Sequence, residues 1–210
     1  MLYKTIRRSL FKFKSVNKIK NRSEDLVLFD GDDKLFKDLI KNISTYFEYG
    51  CGKSTEYAYK YSNCKIYSVD TDHSWVRKTQ QLTNGKKDKR LNIDWINVGN
   101  VENWGYPLTY AKRKIFFNYA NNFYKKNFKP ELVLIDGRLR IFCFLTTIKH
   151  APNGTKIIFD DYTNRPLYHV AEEFSPLIDK CGRQGLFEVN SKAKNTINDK
   201  TLLSFQNVLL

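Results

Sequence analysis

The chain has 210 residues, 41% of them hydrophobic, so it is long enough to form one domain around a full hydrophobic core. No apolar run approaches the ~20 residues that cross a bilayer, and the first residues do not resemble a secretory signal, so we expect a cytoplasmic protein without a transmembrane segment. The formal net charge of +14 can attract phosphates, anionic lipid or an acidic substrate, but we favour the interpretation that the charged runs are solvated surface.

Much of the positive charge stands near the N-terminus, where residues 1–22 contain eight Lys or Arg and no Asp or Glu. Apolar side chains recur there at spacings of three and four, namely at Leu2, Ile6, Leu10, Phe13 and Val16. This spacing predicts a basic amphipathic helix over residues 2–20, within an N-terminal extension of residues 1–31. We expect the helix to pack on the domain, and contact with an anionic surface or a partner is the alternative.

Residues 32–210 alternate between helical and β-prone segments and are predicted to form one domain. Strands are expected near 45–49, 65–69, 93–97, 131–135 and 155–159, and helices near 32–43, 53–62, 73–83, 113–127, 138–150 and 166–180. Two more strands, near 185–190 and 201–208, are expected to form an antiparallel hairpin across the polar loop Ser191–Lys200. The pattern predicts an α/β fold with a doubly wound, mostly parallel, seven-stranded sheet that ends in this hairpin.

A glycine-rich turn, Gly50-Cys51-Gly52, connects the first predicted strand to its helix. Glycine lets the backbone approach a ligand closely, and the start of a helix offers free N–H groups. The turn is not the dinucleotide fingerprint, because Thr55 occupies the third glycine position, and it is too short for a phosphate-binding P-loop. Glu48, just before the turn, would repel a pyrophosphate but can hold an ammonium group.

Carboxylates follow the second, fourth and fifth predicted strands, at the sheet edge where open parallel sheets bind their ligands. Asp70 comes twenty residues after Gly50 and can accept two hydrogen bonds from a ribose diol, the alternative being an acid that only starts the next helix. A cofactor with a ribose, an amine and no phosphate fits Glu48, the glycine turn and Asp70 together. S-adenosylmethionine is such a cofactor.

Four motifs in chain order carry a resemblance to a known family: Glu48-x-Gly50-x-Gly52-x-Ser54-Thr55, Val69-Asp70, Leu132-Val133-Leu134-Ile135-Asp136-Gly137 and Phe159-Asp160-Asp161-Tyr162. Over residues 44–208 the chain resembles the class I S-adenosylmethionine-dependent methyltransferases. The resemblance implies that the first motif holds the methionine end of the cofactor, the acid after strand two holds the ribose, and residues after strand three flank the adenine. The implied cofactor-binding residues are Glu48, Gly50, Cys51, Gly52, Ser54, Thr55, Asp70, Gly99, Asn100 and Asp136.

A metal site is one expectation for the acceptor side. Asp136 and Asp160 are similar to the metal-binding pair of the catechol-type O-methyltransferases, which implies Mg²⁺ that orients and acidifies a hydroxyl. The lysine expected soon after the first acid is absent, and Arg138 and Arg140 stand nearby instead. Without a metal, Asp136 and Asp161 can act as general bases.

The four cysteines form no Cys-x-x-Cys pair and are predicted to be free thiols.

Further acceptor-side candidates lie after the third and fifth strands. His169 would share one face of the helix predicted over 166–180 with Arg165, and histidine accepts protons near neutral pH, although an ordinary surface histidine is an equal alternative. The predicted catalytic residues are therefore Asp136, Asp161 and His169, and the predicted substrate-binding residues are Tyr106, Arg138, Tyr162 and Arg165.

The function that these residues predict is methylation of an oxygen on a small hydroxyl-bearing substrate, such as a sugar or glycan precursor. An RNA or other nucleic-acid methyltransferase, or an RNA-binding protein, is the alternative that the net charge suggests. Ile135-Asp136-Gly137-Arg138 stands where base-methylating relatives carry Asn/Asp-Pro-Pro-Tyr/Phe, which argues against that alternative. A module that binds the cofactor without turnover, or one that cleaves it, stays open.

Overall fold

The computed structural model describes residues 27–83 and 88–209, so the helix predicted over residues 2–20 lies outside the described residues. The helices are α1 Lys34–Ile40, α2 Lys53–Tyr61, α3 His73–Thr83, α4 Arg113–Ala120, α5 Asn122–Lys125, α6 Arg140–His150, α7 Ser191–Thr196 and α8 Asp199–Phe205, with 3-10 helices at Asn103–Gly105 and Pro166–Glu173. The strands are β1 Thr45–Tyr49, β2 Lys65–Asp70, β3 Leu91–Trp95, β4 Leu132–Ile135, β5 Lys156–Phe159, β6 Asp179–Cys181 and β7 Gln184–Glu188. In this part of the chain no helix is long and apolar enough to cross a membrane.

The strands form one seven-stranded sheet in the order β3-β2-β1-β4-β5-β7-β6. The first five strands pair in parallel, and β7 runs antiparallel to both β5 and β6. The predicted fold class is thereby confirmed. The first strand, β1, lies inside the sheet, with β2 and β3 added on one side of it and β4 and β5 on the other. The carboxyl ends of β1 and β4 therefore flank a topological switch point.

The sheet is buried on both faces, which explains the continuous apolar run of β4. Leu132 and Leu134 pack in one hydrophobic cluster with α1 and α2, whereas Val133 and Ile135 pack in a second cluster with α4 and α6. Successive strand residues point to opposite faces, so a strand covered on both sides needs apolar residues throughout. All four residues of β4 are fully buried.

The C-terminal prediction is wrong in its assignment of strands. The segment predicted as a strand over 201–208 contains most of α8, and the predicted polar loop 191–200 contains α7. Asn190 and Asn198 cap these helices, because their side chains accept hydrogen bonds from the backbone N–H of the third residue of each helix. Leu202 of α8 is buried in the cluster that contains α6. The antiparallel hairpin exists but consists of β6 and β7.

The helix predicted over 166–180 is also wrong. A 3-10 helix, Pro166–Glu173, takes its place, and the chain then turns into β6. Pro176 has no N–H group and disfavours helical geometry at Ser175, so a helix could not continue through this point. Two smaller differences are that β3 begins two residues earlier than predicted and that the helix predicted over 113–127 is divided into α4 and α5.

Two glycines bring the turns after β1 and β4 into direct backbone contact. Gly50 has a φ of 96°, and a Cβ there would lie 2.9 Å from the backbone nitrogen of Gly137. A Cβ on Gly137 would in turn collide with the hydroxyl of Tyr119 and with the backbone of Gly50. Gly52, by contrast, adopts an extended backbone that any residue can take. The pair at the switch point is therefore sterically restricted to glycine.

We predict that Gly50→Ala destabilises the protein by at least about 2 kcal/mol more than Gly154→Ala, because only the first combines backbone strain with a backbone collision. Gly154 is a matched control, since its φ is 86° but a Cβ there would meet nothing within 4 Å. Urea unfolding followed by circular dichroism measures both values. Equal destabilisation of the two variants would show that the close approach of the turns is unimportant.

Candidate functional site

A cavity of about 440 Å³ lies at the carboxyl ends of the parallel strands. Its walls come from the turns after β1, β2, β4 and β5, from residues 28–30 ahead of α1, and from Arg183 between β6 and β7. Small-molecule sites have volumes of about 300–1,000 Å³ and occur at switch points of α/β sheets. The location and the size of the cavity both fit a ligand of cofactor size.

Asp70 and the glycine turn form one end of this cavity. One carboxylate oxygen of Asp70 accepts a 2.8 Å hydrogen bond from the backbone N–H of Cys51, and the other accepts a 2.8 Å bond from that of Asp72. Burial raises the pKa of Asp70, and these N–H groups oppose the shift. Each oxygen can accept a further hydrogen bond, so the carboxylate is held in place and still open to a ligand.

Glu48 lies beneath the glycine turn and does not line the cavity. Its side chain is fully buried and accepts hydrogen bonds from the hydroxyls of Tyr46, Ser54 and Thr55. The Thr55 hydroxyl also accepts a 2.9 Å bond from the N–H of Gly52, so Glu48 supports the turn through Thr55. Burial raises the pKa of Glu48 to about 7, although the three hydroxyls favour the charged form. The arrangement makes Glu48 a support of the turn.

A network of arginines and aspartates forms the opposite end of the cavity. This arginine–aspartate cluster consists of Asp30, Asp136, Asp160, Asp161, Arg138, Arg140, Arg165 and Arg183. Arg140 is buried at its centre and lies 3.0 Å from Asp136 and 3.1 Å from Asp161. Its guanidinium also donates to the backbone carbonyls of residues 136, 137 and 160, so it joins the turns after β4 and β5.

Asp161 is enclosed by cations. Its carboxylate contacts Arg140, Arg165 at 2.9 Å and Arg183 at 3.2 Å. With a φ of 59°, its backbone occupies the left-handed region, which residues other than glycine rarely adopt. The N–H donors of three guanidinium groups already engage the oxygens of this carboxylate. Asp161 therefore suits the positioning of the arginines better than proton transfer.

Asp136 has the opposite environment. Its side chain is 32% exposed at the cavity wall and has one arginine partner, Arg140. Burial, with the negative charges of Asp160 and Asp161, raises the pKa of Asp136 to about 8, against the opposing effect of Arg140. A carboxylate with a pKa near neutrality that faces a cavity is suited to accept a proton from a bound ligand.

The residues of the predicted metal pair do not fit a magnesium ion. Asp160 is fully buried, and Arg183 and Gln184 engage its carboxylate oxygens. Asp136 is paired with Arg140, so a cation between the two acids would lie beside guanidinium groups. Among residues 27–83 and 88–209, no three or more His, Cys, Asp or Glu side chains form a group that could hold a metal ion. All four cysteines are free thiols, as predicted.

The structure brings only some of the predicted site residues to the cavity. Those that line it are Gly50, Cys51, Gly52, Ser54, Asp70, Asp136, Arg138, Asp161 and Arg165, and those that do not are Glu48, Thr55, Gly99, Asn100, Tyr106, Asp160, Tyr162 and His169. His169 points to the backbone carbonyl of Tyr162, 3.1 Å from its Nε2 atom. Tyr162 itself is buried, and its hydroxyl donates to Glu172. The 3-10 geometry of this segment removes the shared helical face that the sequence predicted.

Several lining residues were missed from the sequence. Trp75 and Trp104 stack with ring centroids 5.8 Å apart at the cavity wall, and Trp104 is 69% exposed with a φ of 64°. Arg183 was missed because the segment before it was predicted as the end of a helix, so the turn between β6 and β7 was not recognised. Phe29 and Asp30 were placed in the N-terminal extension, but Phe29 packs in the core against Phe36. The Asp30-Gly31-Asp32 turn signal was available for this segment.

Comparison with known proteins gives matches among solved structures alone, since no family model and no curated protein matches the chain. A methyltransferase-like protein from Silicibacter pomeroyi is 26% identical with a TM-score of 0.74, and the match covers 86% of this chain and 94% of that one. An O-methyltransferase from Bacillus cereus, crystallised with S-adenosylhomocysteine, is 13% identical with a TM-score of 0.50 over 80% of this chain and 86% of that one. The chain has the Rossmann-like fold of the class I S-adenosylmethionine-dependent methyltransferases, as the motif resemblance predicted.

We predict that Glu48 makes the stability of the protein fall as the pH rises. Its pKa is about 7 when folded, against an ordinary value of 4.5, so the folded chain keeps a proton that the unfolded chain releases. The contribution of Glu48 to the unfolding free energy is therefore highest below about pH 4.5 and decreases by roughly 3 kcal/mol up to about pH 7, then levels off. Denaturant unfolding of the wild type and Glu48→Gln at matched pH values isolates this effect, because glutamine does not titrate. A constant difference between the two proteins would contradict the prediction.

Proposed function

We propose that this protein is an S-adenosylmethionine-dependent methyltransferase that methylates a hydroxyl oxygen of a small substrate such as a sugar or glycan precursor. The observation that carries the proposal is a single cavity with the glycine turn and Asp70 at one end and a partly exposed Asp136 of raised pKa at the other. The Silicibacter pomeroyi methyltransferase-like protein supports the enzyme class, and the Bacillus cereus O-methyltransferase has the same fold.

The residues at the first end fit the cofactor. Asp70 is fixed by two backbone bonds and retains acceptor capacity for a ribose diol. Gly50 and Gly52 leave the backbone of the turn without side chains, and Ser54 lies at the wall beside them. When bound, the cofactor supplies a methyl group on a positively charged sulfur. Trp75 and Trp104 offer an aromatic surface next to this end of the cavity.

Asp136 is the residue that we assign to proton transfer. A hydroxyl becomes a far better nucleophile as its proton is removed, and a base is most effective when its pKa lies near the working pH. Arg140 fixes the Asp136 side chain, because it binds the carboxylate and the backbone carbonyl of the same residue. Asp161 and Asp160 act indirectly, since their charges help to raise the pKa of Asp136.

A direct test of the proposal is the transfer of labelled methyl groups from S-adenosylmethionine to a panel of sugars, uronic acids and sugar phosphates. The expected product is a methyl ether, identified by mass spectrometry and by nuclear magnetic resonance of its new O-methyl group. Methylation of amines or of RNA, but of no hydroxyl compound, would contradict the proposal. Cofactor binding with no transfer to any acceptor would favour a binding module.

We predict that Asp70→Ala weakens the binding of S-adenosylhomocysteine by about 100-fold or more, because hydrogen bonds to a charged acceptor contribute ~1.5–3 kcal/mol each. Calorimetric titration measures the affinity, and a thermal melt verifies that the variant is folded. Asp94→Asn is the matched control, since Asp94 binds Tyr67 and Asn122 outside the cavity. Unchanged affinity in folded Asp70→Ala would remove the ribose assignment.

The rate of methyl transfer is expected to rise with pH through the pKa of Asp136, about 8, because the base must lose its proton before it can accept another. Asp160→Asn removes a negative charge that raises this pKa, so the variant should reach its plateau at a lower pH. Pre-steady-state rates at saturating substrate across the pH range measure the shift. If the rate of Asp160→Asn rises at the same pH as that of the wild type, or at a higher pH, Asp136 is excluded as the base.

A further inference from the structure

Arg138 differs from the other arginines of the cavity. Arg140, Arg165 and Arg183 each lie within 3.2 Å of an aspartate oxygen. Arg138 also lines the cavity, but it forms no ion pair with any residue in the part of the chain that the structure describes. The arginine–aspartate cluster therefore contains one cation whose charge is not matched by a contacting acid.

The Arg138 side chain is also incompletely hydrogen-bonded. Its Nε atom is buried and has no hydrogen-bond partner among the described residues. Burial and the nearby charge of Arg140 lower the pKa of Arg138, which shows that its surroundings disfavour the cation. A buried donor without a partner is unfavourable, and buried guanidinium groups are normally paired. An anion bound to the accessible part of the Arg138 guanidinium would offset the cost of this unpaired charge.

The backbone on both sides of Arg138 is held firmly. Its N–H donates to the hydroxyl of Tyr119 at 3.3 Å, and its carbonyl accepts from the thiol of Cys143 at 3.4 Å. Leu139, the next residue, has a φ of 54° and is the N-cap residue of α6. The side chain consequently leaves a fixed point two residues after Asp136, on the same wall of the cavity.

We propose that Arg138 binds an oxyanion of the methyl acceptor, so that the substrate is a hydroxyl compound bearing a carboxylate or a phosphate, such as a uronic acid or a sugar phosphate. This inference rests on the proposed function and specifies its substrate class. Guanidinium groups bind such anions through two parallel hydrogen bonds, which fixes the orientation as well as the position of the ligand. An anion held by Arg138 would direct a neighbouring hydroxyl toward Asp136. Arg165, 46% exposed at the same wall, adds a second positive charge.

The carboxylate of the cofactor is another source of the same chemistry, and a first experiment separates the two. Calorimetry compares S-adenosylhomocysteine, which has this carboxylate, with 5′-methylthioadenosine, which lacks it, on the wild type and on Arg138→Met. The proposal expects both ligands to bind the variant as they bind the wild type. A loss of about 10-fold or more for S-adenosylhomocysteine alone would assign Arg138 to the cofactor and overturn the proposal.

A second experiment measures acceptor recognition on protein saturated with S-adenosylhomocysteine. The probes are D-glucuronate and glucose 6-phosphate, with glucose as the neutral match, titrated at constant ionic strength. We expect at least one anionic probe to bind the wild type about 10-fold or more tightly than glucose, and this preference to disappear in Arg138→Met. Arg113→Met is the control, because Arg113 is exposed on α4 and outside the cavity. Absence of the preference in the wild type, or its survival in Arg138→Met, would overturn the proposal.

Arg138→Lys is a second variant in case Arg138→Met fails to fold, and a thermal melt is recorded for each protein. Lysine keeps the charge but not the two-pronged geometry, so the anion preference should be reduced without being abolished. The proposal and the underlying function can fail separately. Preferential anion binding that depends on Arg138, without methyl transfer, would leave the inference standing and remove the function. Transfer to neutral sugars at a rate that does not depend on Arg138 would support the function and remove the inference.

Discussion

The backbone contact between Gly50 and Gly137 is the constraint on which the site depends. The turns after β1 and β4 approach so closely that neither position accepts a Cβ, and this contact closes the floor of the cavity at the switch point. Register determines which turns meet, since Tyr49 is paired with Ile135 at the ends of the two strands. The Glu48 carboxylate then braces the first turn from beneath through Ser54 and Thr55. A rigid floor of this kind positions ligands without further reorganisation.

The charged residues of the arginine–aspartate cluster, at the end of the cavity opposite Asp70, have different roles. Arg140 joins the turns after β4 and β5 by its contacts with Asp136 and Asp161, and it is buried deeply enough to act as a structural cation. Asp160 and Asp161 form ion pairs with arginines, and their negative charges still raise the pKa of Asp136. Arg140 and Arg183 contact Asp136 and Asp160, the two carboxylates that were predicted to hold a metal ion. In the proposed function, proton transfer therefore depends on Asp136, a side chain whose pKa is shifted by its neighbours.

Sequence patterns predicted the parts of this structure that local chemistry determines. The strands β1, β2, β4 and β5 lie within one residue of their predicted bounds, because their apolar runs and the adjacent turns are strong local signals. The C-terminal hairpin was misplaced because the capping by Asn190 and Asn198 was not recognised and the burial of α8 against α6 is a tertiary effect. Within the site, the glycine turn and Asp70 were predicted from spacing. The pairing of Asp160 with Arg183, 23 residues away, and the complete burial of Glu48 depend on packing that no local pattern records.

In the proposed function, the proximity of Arg138 to Asp136 determines how the charge of the substrate affects catalysis. An anionic substrate bound without a countercharge would raise the pKa of Asp136 further and keep the base protonated at neutral pH. The positive charge of Arg138 opposes this effect, because it compensates the negative charge of the bound anion. The unmatched arginine thus allows the site to accept a charged molecule without disabling its own base. On this reasoning, removal of Arg138 impairs binding and proton transfer together for anionic substrates.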